Sequence, residues 1–239
     1  MVAARGLKEM PVSKVLVAPG VPDYGRLRHL IRDDIVEGLL APGSRLKVAE
    51  LAQRYNTSTI PVREALQQLQ GEGIVTFVAN RGASVRPIDE AFIRNIHEVR
   101  ALAEPYLATW FIRHHTDEQL AELEDVQRLY DEASASDDRD SIRKLNRRFH
   151  STIYNGHYNE EALAIAYRHS DLIMALSFRF PQSRARVQTI CREHWQIIDA
   201  IRNQDENELT RVIVEHVRGA GQNLIELMRA AERRSATAV

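Results

Sequence analysis

Three histidines in the second half of the chain stand where imidazoles could act together. Between residues 139 and 155, Asn146, Phe149, His150 and Ile153 recur at i, i+3, i+4 and i+7, so Asn146 and His150 share one stripe of a helix. His194 sits among Ile190, Ile197, Ile198 and Ile201, and His216 among Leu209, Ile213, Ala220 and Leu224. Each histidine is expected to point into a helical bundle. A lone histidine on an apolar face is usually a hydrogen-bonded core residue. Three from separate helices can instead converge as neutral imidazoles on a divalent ion, with zinc the first expectation and nickel or manganese also compatible. Asn146, one turn before His150, could add an oxygen or hold a metal-bound water. Cys191 is the only cysteine, which excludes an intrachain disulfide framework and a cysteine-rich zinc module.

A second set of residues has the chemistry to meet DNA. A recognition helix needs an apolar face to dock and a polar N-terminal face for the major groove. Between 58 and 70, Val62, Ala65, Leu66 and Leu69 supply the first, and Ser58, Thr59 and Arg63 the second. Arg63 can pair with O6 and N7 of guanine. Arg45 and Lys47 are placed to hold the phosphate backbone, and Arg81, beside Gly82, to reach the minor groove. Arg100 lies between Ile96 and Ala103 on an inward stripe. A buried guanidinium is costly unless it meets an anion, either a ligand or a partner such as Glu98 or Glu104.

The elements needed to position these residues can be read from the periodicity. Residues 1 to 20 have none and read as a loosely ordered arm. Leu27, Leu30, Ile31, Ile35 and Leu39 define a first helix that Pro42-Gly43 stops; a second fits 48 to 55. Thr57 or Ser58 can cap the third, and Pro61 suits its first turn. Strands at 74 to 78 and 83 to 85, joined through Asn80-Arg81-Gly82, make a hairpin. The expectation is a mainly α chain: a winged helix-turn-helix over 21 to 86, then an all-α bundle of six or seven helices over 89 to 235. Residues 86 to 89, with Pro87, read as a hinge. Helices are expected at 90 to 114, 117 to 135, 139 to 155, 160 to 180, 184 to 203 and 206 to 233. Thr116 with Gln119 has capping-box spacing, and Asp137, Asn159 and Asp205 are further candidate caps.

Composition is that of a globular protein, with 44% hydrophobic residues and a formal net charge of −1. That charge is unevenly spread. Residues 1 to 88 hold 12 Lys and Arg against 8 Asp and Glu, and residues 89 to 239 hold 20 against 25. Only the basic front is suited to phosphate. No apolar run approaches the roughly 18 to 20 residues that span a bilayer, and the stretch 12 to 21 makes no convincing signal peptide. The expected location is the cytoplasm.

The run from 35 to 85 carries Gly38, Pro42-Gly43-Ser44-Arg45-Leu46, Leu51-Ala52, Pro61-Val62-Arg63-Glu64-Ala65-Leu66, Leu69, Glu72-Gly73, Gly82 and Val85. It closely resembles the winged helix of the GntR regulator superfamily. Residues 92 to 230 look like the FCD ligand-binding domain of its FadR subfamily, through Glu98-Val99-Arg100, Asn146 with Phe149-His150, Glu193-His194 and Glu215-His216. The resemblance implies a metal site of His150, His194 and His216, with Asn146 where metal-binding members carry an Asp. It also implies that Arg100 contacts the carboxylate of an effector. Many members have an arginine directly after the capping Ser or Thr; this chain has Thr59 and then Ile60, which points to an unusual operator.

The function expected is therefore that of a transcription factor, not an enzyme. A homodimer would bind palindromic operator DNA, as a repressor, and release it when an organic acid, sugar acid or amino acid enters the helical domain. Two alternatives stand beside this. A metal-dependent hydrolase would need a general base, and no acidic residue stands on the histidine stripes. An architectural DNA-binding protein would give no ligand response.

Overall fold

The computed structural model describes residues 23–78, 82–168 and 170–237, so the expected arm at 1 to 20 and Arg81 lie outside the described residues. The chain forms two compact units, divided between Asp89 and Glu90, with Arg168–Arg179 returning to the first.

In the first unit, α1 (Asp23–Val36), α2 (Val48–Arg54) and α3 (Thr59–Gly71) accompany a sheet of β1 (Arg45–Leu46), β2 (Val75–Val78) and β3 (Gly82–Val85). Leu27, Ile31 and Ile35 of α1 are buried, as are Leu51, Val62, Leu66 and Leu69, the apolar stripes read from the sequence. Helix α1 is shorter than its hydrophobic pattern. Gly38 adopts a left-handed φ of +76° and the Leu40 amide donates back to Asp34 O, a turn that ends the helix before Leu39. The hairpin pairs β2 with β3 antiparallel, with Val75 opposite Val85 and Val78 opposite Gly82. β1 was not foreseen: two residues are too few for a period, and they pair with β3, placing Arg45 opposite Ser84.

Helix α8 (Ser170–Arg179) also belongs to this unit. Arg32 of α1 pairs with Asp171 of α8 at 2.9 Å and with Glu72, just past α3, at 2.7 Å. The single helix expected over 160 to 180 is thus two, α7 (Glu160–Tyr167) and α8, which fall in different units. Periodicity had no signal for that break.

The second unit contains α4 (Glu90–His114), α5 (Asp117–Ala135), α6 (Arg139–Tyr154), α7, α9 (Arg184–Arg202) and α10 (Glu206–Thr237). The capping box is present: Gln119 N donates to Thr116 Oγ1 at 3.3 Å and Thr116 N to Gln119 Oε1 at 2.9 Å. Asn159 and Asp205 cap as expected, accepting from Ala162 N and Glu208 N. Asp138, rather than Asp137, caps α6 through Ser141 N, because Asp137 takes up the left-handed turn at φ 56°. Phe149, Ile153, Ile197, Ile198, Ile213 and Val217 lie in one buried cluster.

The crossing of α4 and α10 requires a glycine. A Cβ on Gly221 would lie 2.7 Å from His97 Cγ, and His97 is buried with Nδ1 2.8 Å from Ile93 O. Alanine normally favours a helix interior over glycine by about 1 kcal/mol. Here the clash reverses the sign: Gly221→Ala should destabilise the chain by about 1 to 3 kcal/mol, measured by urea unfolding. A stabilised variant would show that the two helices do not meet at this residue.

Candidate DNA-reading helix and histidine centre

Helix α3 buries Val62, Ala65, Leu66 and Leu69 and leaves Ser58, Thr59, Ile60, Arg63, Glu64, Gln67 and Gln68 exposed. Ser58 occupies the N-cap with extended backbone and its side chain makes no capping bond, so the hydroxyl stays available to an outside partner. Arg63 is one turn further on, on the same exposed face. Arg45, on β1, and Lys47, just before α2, are both exposed; Lys47 lies 2.6 Å from Glu50, an exposed pair that phosphate can displace. Gly82 opens β3 at φ +78°.

Beneath this surface, Asp34 and Arg54 form an almost fully buried pair. Arg54 Nε and Nη2 donate to Asp34 Oδ2 at 2.8 and 2.5 Å, and Tyr55 OH donates to the same oxygen at 2.7 Å. This pair ties α1 to the end of α2, and hence to the turn that launches α3.

In the second unit the three histidines do come together. His150, His194 and His216 are buried, and each offers a ring nitrogen within 4.8 Å of the others. Their outer nitrogens have partners that set the tautomers. Asp131 can only accept, and takes Gln127 Nε2 at 2.8 Å on one oxygen and Trp195 Nε1 at 2.8 Å on the other. Gln127 Oε1 therefore faces His194 Nδ1, 2.7 Å away, and Nδ1 must carry the proton. Glu193 Oε2 does the same for His216 Nδ1 at 2.7 Å. Tyr154 OH, which donates to Glu104 Oε2 at 2.9 Å, stands 3.4 Å from His150 Nδ1.

Nε2 of His194 and of His216 are thereby left as lone pairs, while His150 has a partner near each ring nitrogen. His150 and His216 bring their Nε2 atoms to 3.2 Å, and His194 Nε2 is buried without a hydrogen-bond partner. Burial, reinforced by His216, pushes His150 down to about 3; burial, then His216, His150 and Arg186, holds His194 well below the usual imidazole range. Three buried imidazoles with ring nitrogens within 4.8 Å of one another, two of them held from outside through Nδ1, are a donor set that fits a divalent ion. Asn146 is half-buried, one turn before His150 on α6.

Several residues at this centre escaped sequence reasoning. Glu193 stands beside the histidines, contrary to the expectation that no carboxylate does: adjacent to His194 in sequence, it reaches across to α10. It is no free base, because Arg186 Nη1 holds its other oxygen at 2.7 Å. Burial opposes its ionisation, but the hydrogen bonds from His216 and Arg186 keep its carboxyl below the usual range. Gln127 had a signal, a polar residue within the buried stripe of Leu123, Val126 and Tyr130. Arg100 meets Glu104 through Nε at 2.6 Å, and its Nη1 lies 3.4 Å from His97 Nε2. Burial disfavours the charge on Glu104, yet Arg100 and His150 hold its carboxyl low.

Three helices with a small antiparallel wing, joined to a helical unit with a buried histidine cluster, define a winged-helix DNA-binding regulator. Residues 23–85 match the bacterial regulatory proteins of the gntR family and residues 95–219 match the FCD domain; the chain belongs to the GntR family, with an FCD-type C-terminal domain, and is a transcriptional regulator. The Nta operon transcriptional regulator of Aminobacter aminovorans is 28% identical over 190 residues, covering 80% of this chain and 89% of that protein. The galactonate operon transcriptional repressor of Escherichia coli K12 is 26% identical over 214 residues, covering 81% and 93%. The solved structure of E. coli McbR/YncC has the same fold, with a TM-score of 0.71 at 20% identity over 88% of this chain and 99% of that one. Both relatives are transcriptional regulators, which sets the hydrolase alternative aside. Among the described residues no helix is long and apolar enough to cross a membrane.

Proposed function

We propose that the chain is a repressor that binds palindromic operator DNA as a homodimer and is released by a small carboxylate held beside a divalent ion in its helical domain. The observation that carries the ligand half of this reading is the convergence of three buried imidazoles, each with a ring nitrogen within 4.8 Å of the others. His150, His194 and His216 would hold the ion, zinc first and nickel or manganese as alternatives, with Asn146 as a neutral neighbour. When bound, the ion supplies a Lewis-acidic anchor for an anion.

The charges around the centre favour an acid. Arg186 offsets Glu193 and Arg100 offsets Glu104. A divalent cation would therefore arrive uncompensated in a buried site, which is costly unless an anion accompanies it. An Asp in place of Asn146 would have supplied part of that charge. The named relative that represses a galactonate operon supports a sugar acid as one candidate, alongside other organic acids and amino acids. Arg100 remains the expected contact for the acid, through the guanidinium nitrogens not bonded to Glu104.

For the DNA half, Arg63 is the proposed base reader, Ser58, Thr59, Arg45 and Lys47 the contacts nearby, and Arg81 with Gly82 the wing contact. Arg63→Ala should weaken binding to the palindrome selected from a random duplex pool by about 10- to 100-fold, the worth of one bidentate base contact, without changing the melting temperature. Unchanged affinity by fluorescence anisotropy would remove Arg63 from that role. The regulatory reading is tested on the same duplex. Zinc with an acid should release it, and each should raise the other's affinity by the same factor, as linkage requires; DNA binding indifferent to every combination would leave an architectural protein.

A further inference from the structure

Arg186 of α9 is buried beside the histidine centre with half of its guanidinium unused. Nη1 bonds Glu193 Oε1 at 2.7 Å, while Nε and Nη2 are shielded from solvent and lack any hydrogen-bond partner. Buried N–H groups of a cation rarely go unmet, because each forfeits its water without replacement. The two orphans are also a matched pair. Nε and Nη2 form the side-on edge of a guanidinium, the edge by which Arg113 grips both oxygens of Glu206 at 2.6 Å each, and Arg229 both oxygens of Glu90 at 2.6 and 2.5 Å. Arg186 presents the same fork with no carboxylate in it.

Gly219 of α10 faces the guanidinium, and a Cβ there would come within 3.3 Å of Nη2. Arg100 cannot offer an equivalent fork, since its Nε is already committed to Glu104. Through Glu193, Arg186 is two hydrogen bonds from His216, so an anion in the fork would lie close to the centre where a cation would call for one.

We propose that the Nε and Nη2 edge of Arg186 is a carboxylate-binding subsite beside the histidine centre, receiving the acid group of the effector in a bidentate pair. The assignment rests on the carboxylate-effector reading above and gives Arg186, not Arg100, the two-point contact. Binding there requires the packing over the fork to open, because both nitrogens are covered in the unliganded chain.

The test uses the full-length, zinc-loaded protein, with citrate, malonate and D-galactonate as calorimetric probes and zinc content per chain as an independent readout. At least one probe should bind the wild type. Arg186→Lys keeps a cation for Glu193 but has no fork, and should weaken that probe by about tenfold or more, the worth of a charge-assisted pair, with zinc retained. Gly219→Ala, which crowds Nη2 while favouring the helix, should weaken the probe several-fold with no loss of thermal stability. Wild-type affinity in Arg186→Lys with zinc retained would overturn the subsite and leave the effector reading intact. Loss of zinc in Arg186→Lys would also overturn it, making Arg186 a positioning residue for Glu193 and His216. If no probe binds the wild type, the carboxylate reading falls and the subsite with it.

Discussion

Replacing His194 with alanine should strip the helical domain of its metal. The wild-type chain is expected to carry about one zinc per chain, and the variant to bind it more than about 100-fold more weakly, since loss of an outer-shell partner alone typically costs 10- to 100-fold. His194 is the critical ligand because its geometry is the most tightly fixed. Its ring stacks on Phe149 at 3.9 Å between centroids and 7° between planes, and the line from Asp131 through Gln127 determines which nitrogen holds the proton. Gln127→Leu should therefore lower zinc affinity by about 10- to 100-fold while leaving all three ligands in place. Elemental mass spectrometry before and after dialysis against a chelator measures both variants. The low affinity of His150 for a proton, set by burial and by His216, means that acid competes for that ligand only well below the ordinary imidazole value of about 6.5. A His194→Ala variant that kept wild-type zinc would end the metal reading.

Asp34→Ala should unfold the DNA-binding unit at ordinary temperature or bring it close to unfolding. Side-chain exposure is 2% for Arg54 and 0% for Asp34, so removing the carboxylate takes from a buried guanidinium and from the Tyr55 hydroxyl the oxygen that both bond. Breaking a buried pair from one side costs about 3 to 5 kcal/mol, a large part of the roughly 5 to 15 kcal/mol that holds a domain together. Operator binding should vanish and amide hydrogens of α1 to α3 should exchange rapidly, while zinc in the helical unit is kept. The double variant Asp34→Leu with Arg54→Met should recover most of the loss, because an apolar replacement of both partners leaves no unpaired charge. Slow exchange in Asp34→Ala would mean that the pair contributes little.

The contrast between these two sites shows how far residue patterns reach. His150, His194 and His216 were legible because each interrupts an apolar stripe at helical spacing, and Arg63 because it follows a capping Ser and a first-turn Pro. Asp34 was not: it lies next to Asp33 in a helix with a polar face, and only the return of α2 beside α1 turns it into a buried ion. Gln127 carried a faint signal and Glu193 entered only through the Glu193-His194 resemblance, while Arg186 gave none, since long polar side chains on a helix are ordinarily solvated. Arg100 was read on an inward stripe and stands half-buried beside the one formed by Ile93, His97, Ala101 and Glu104; spacing left Glu98 and Glu104 both open as partners, and the i, i+4 pair with Glu104 is the one formed.

By itself the sequence determined the local elements: the position of most helices, the Thr116 capping box, the hairpin and the class of DNA-reading helix, all of which depend on interactions between residues a few positions apart. The tertiary structure decided which distant residues meet. Only packing could make the first unit include α8, bring β1 to β3, bring three imidazoles together and leave the fork of Arg186 empty. The physical reason is range. Periodicity and capping are set within one or two turns of backbone, whereas the burial that gathers three histidines, or shields Nε and Nη2 of Arg186, depends on helices that are neighbours in space and far apart in the chain.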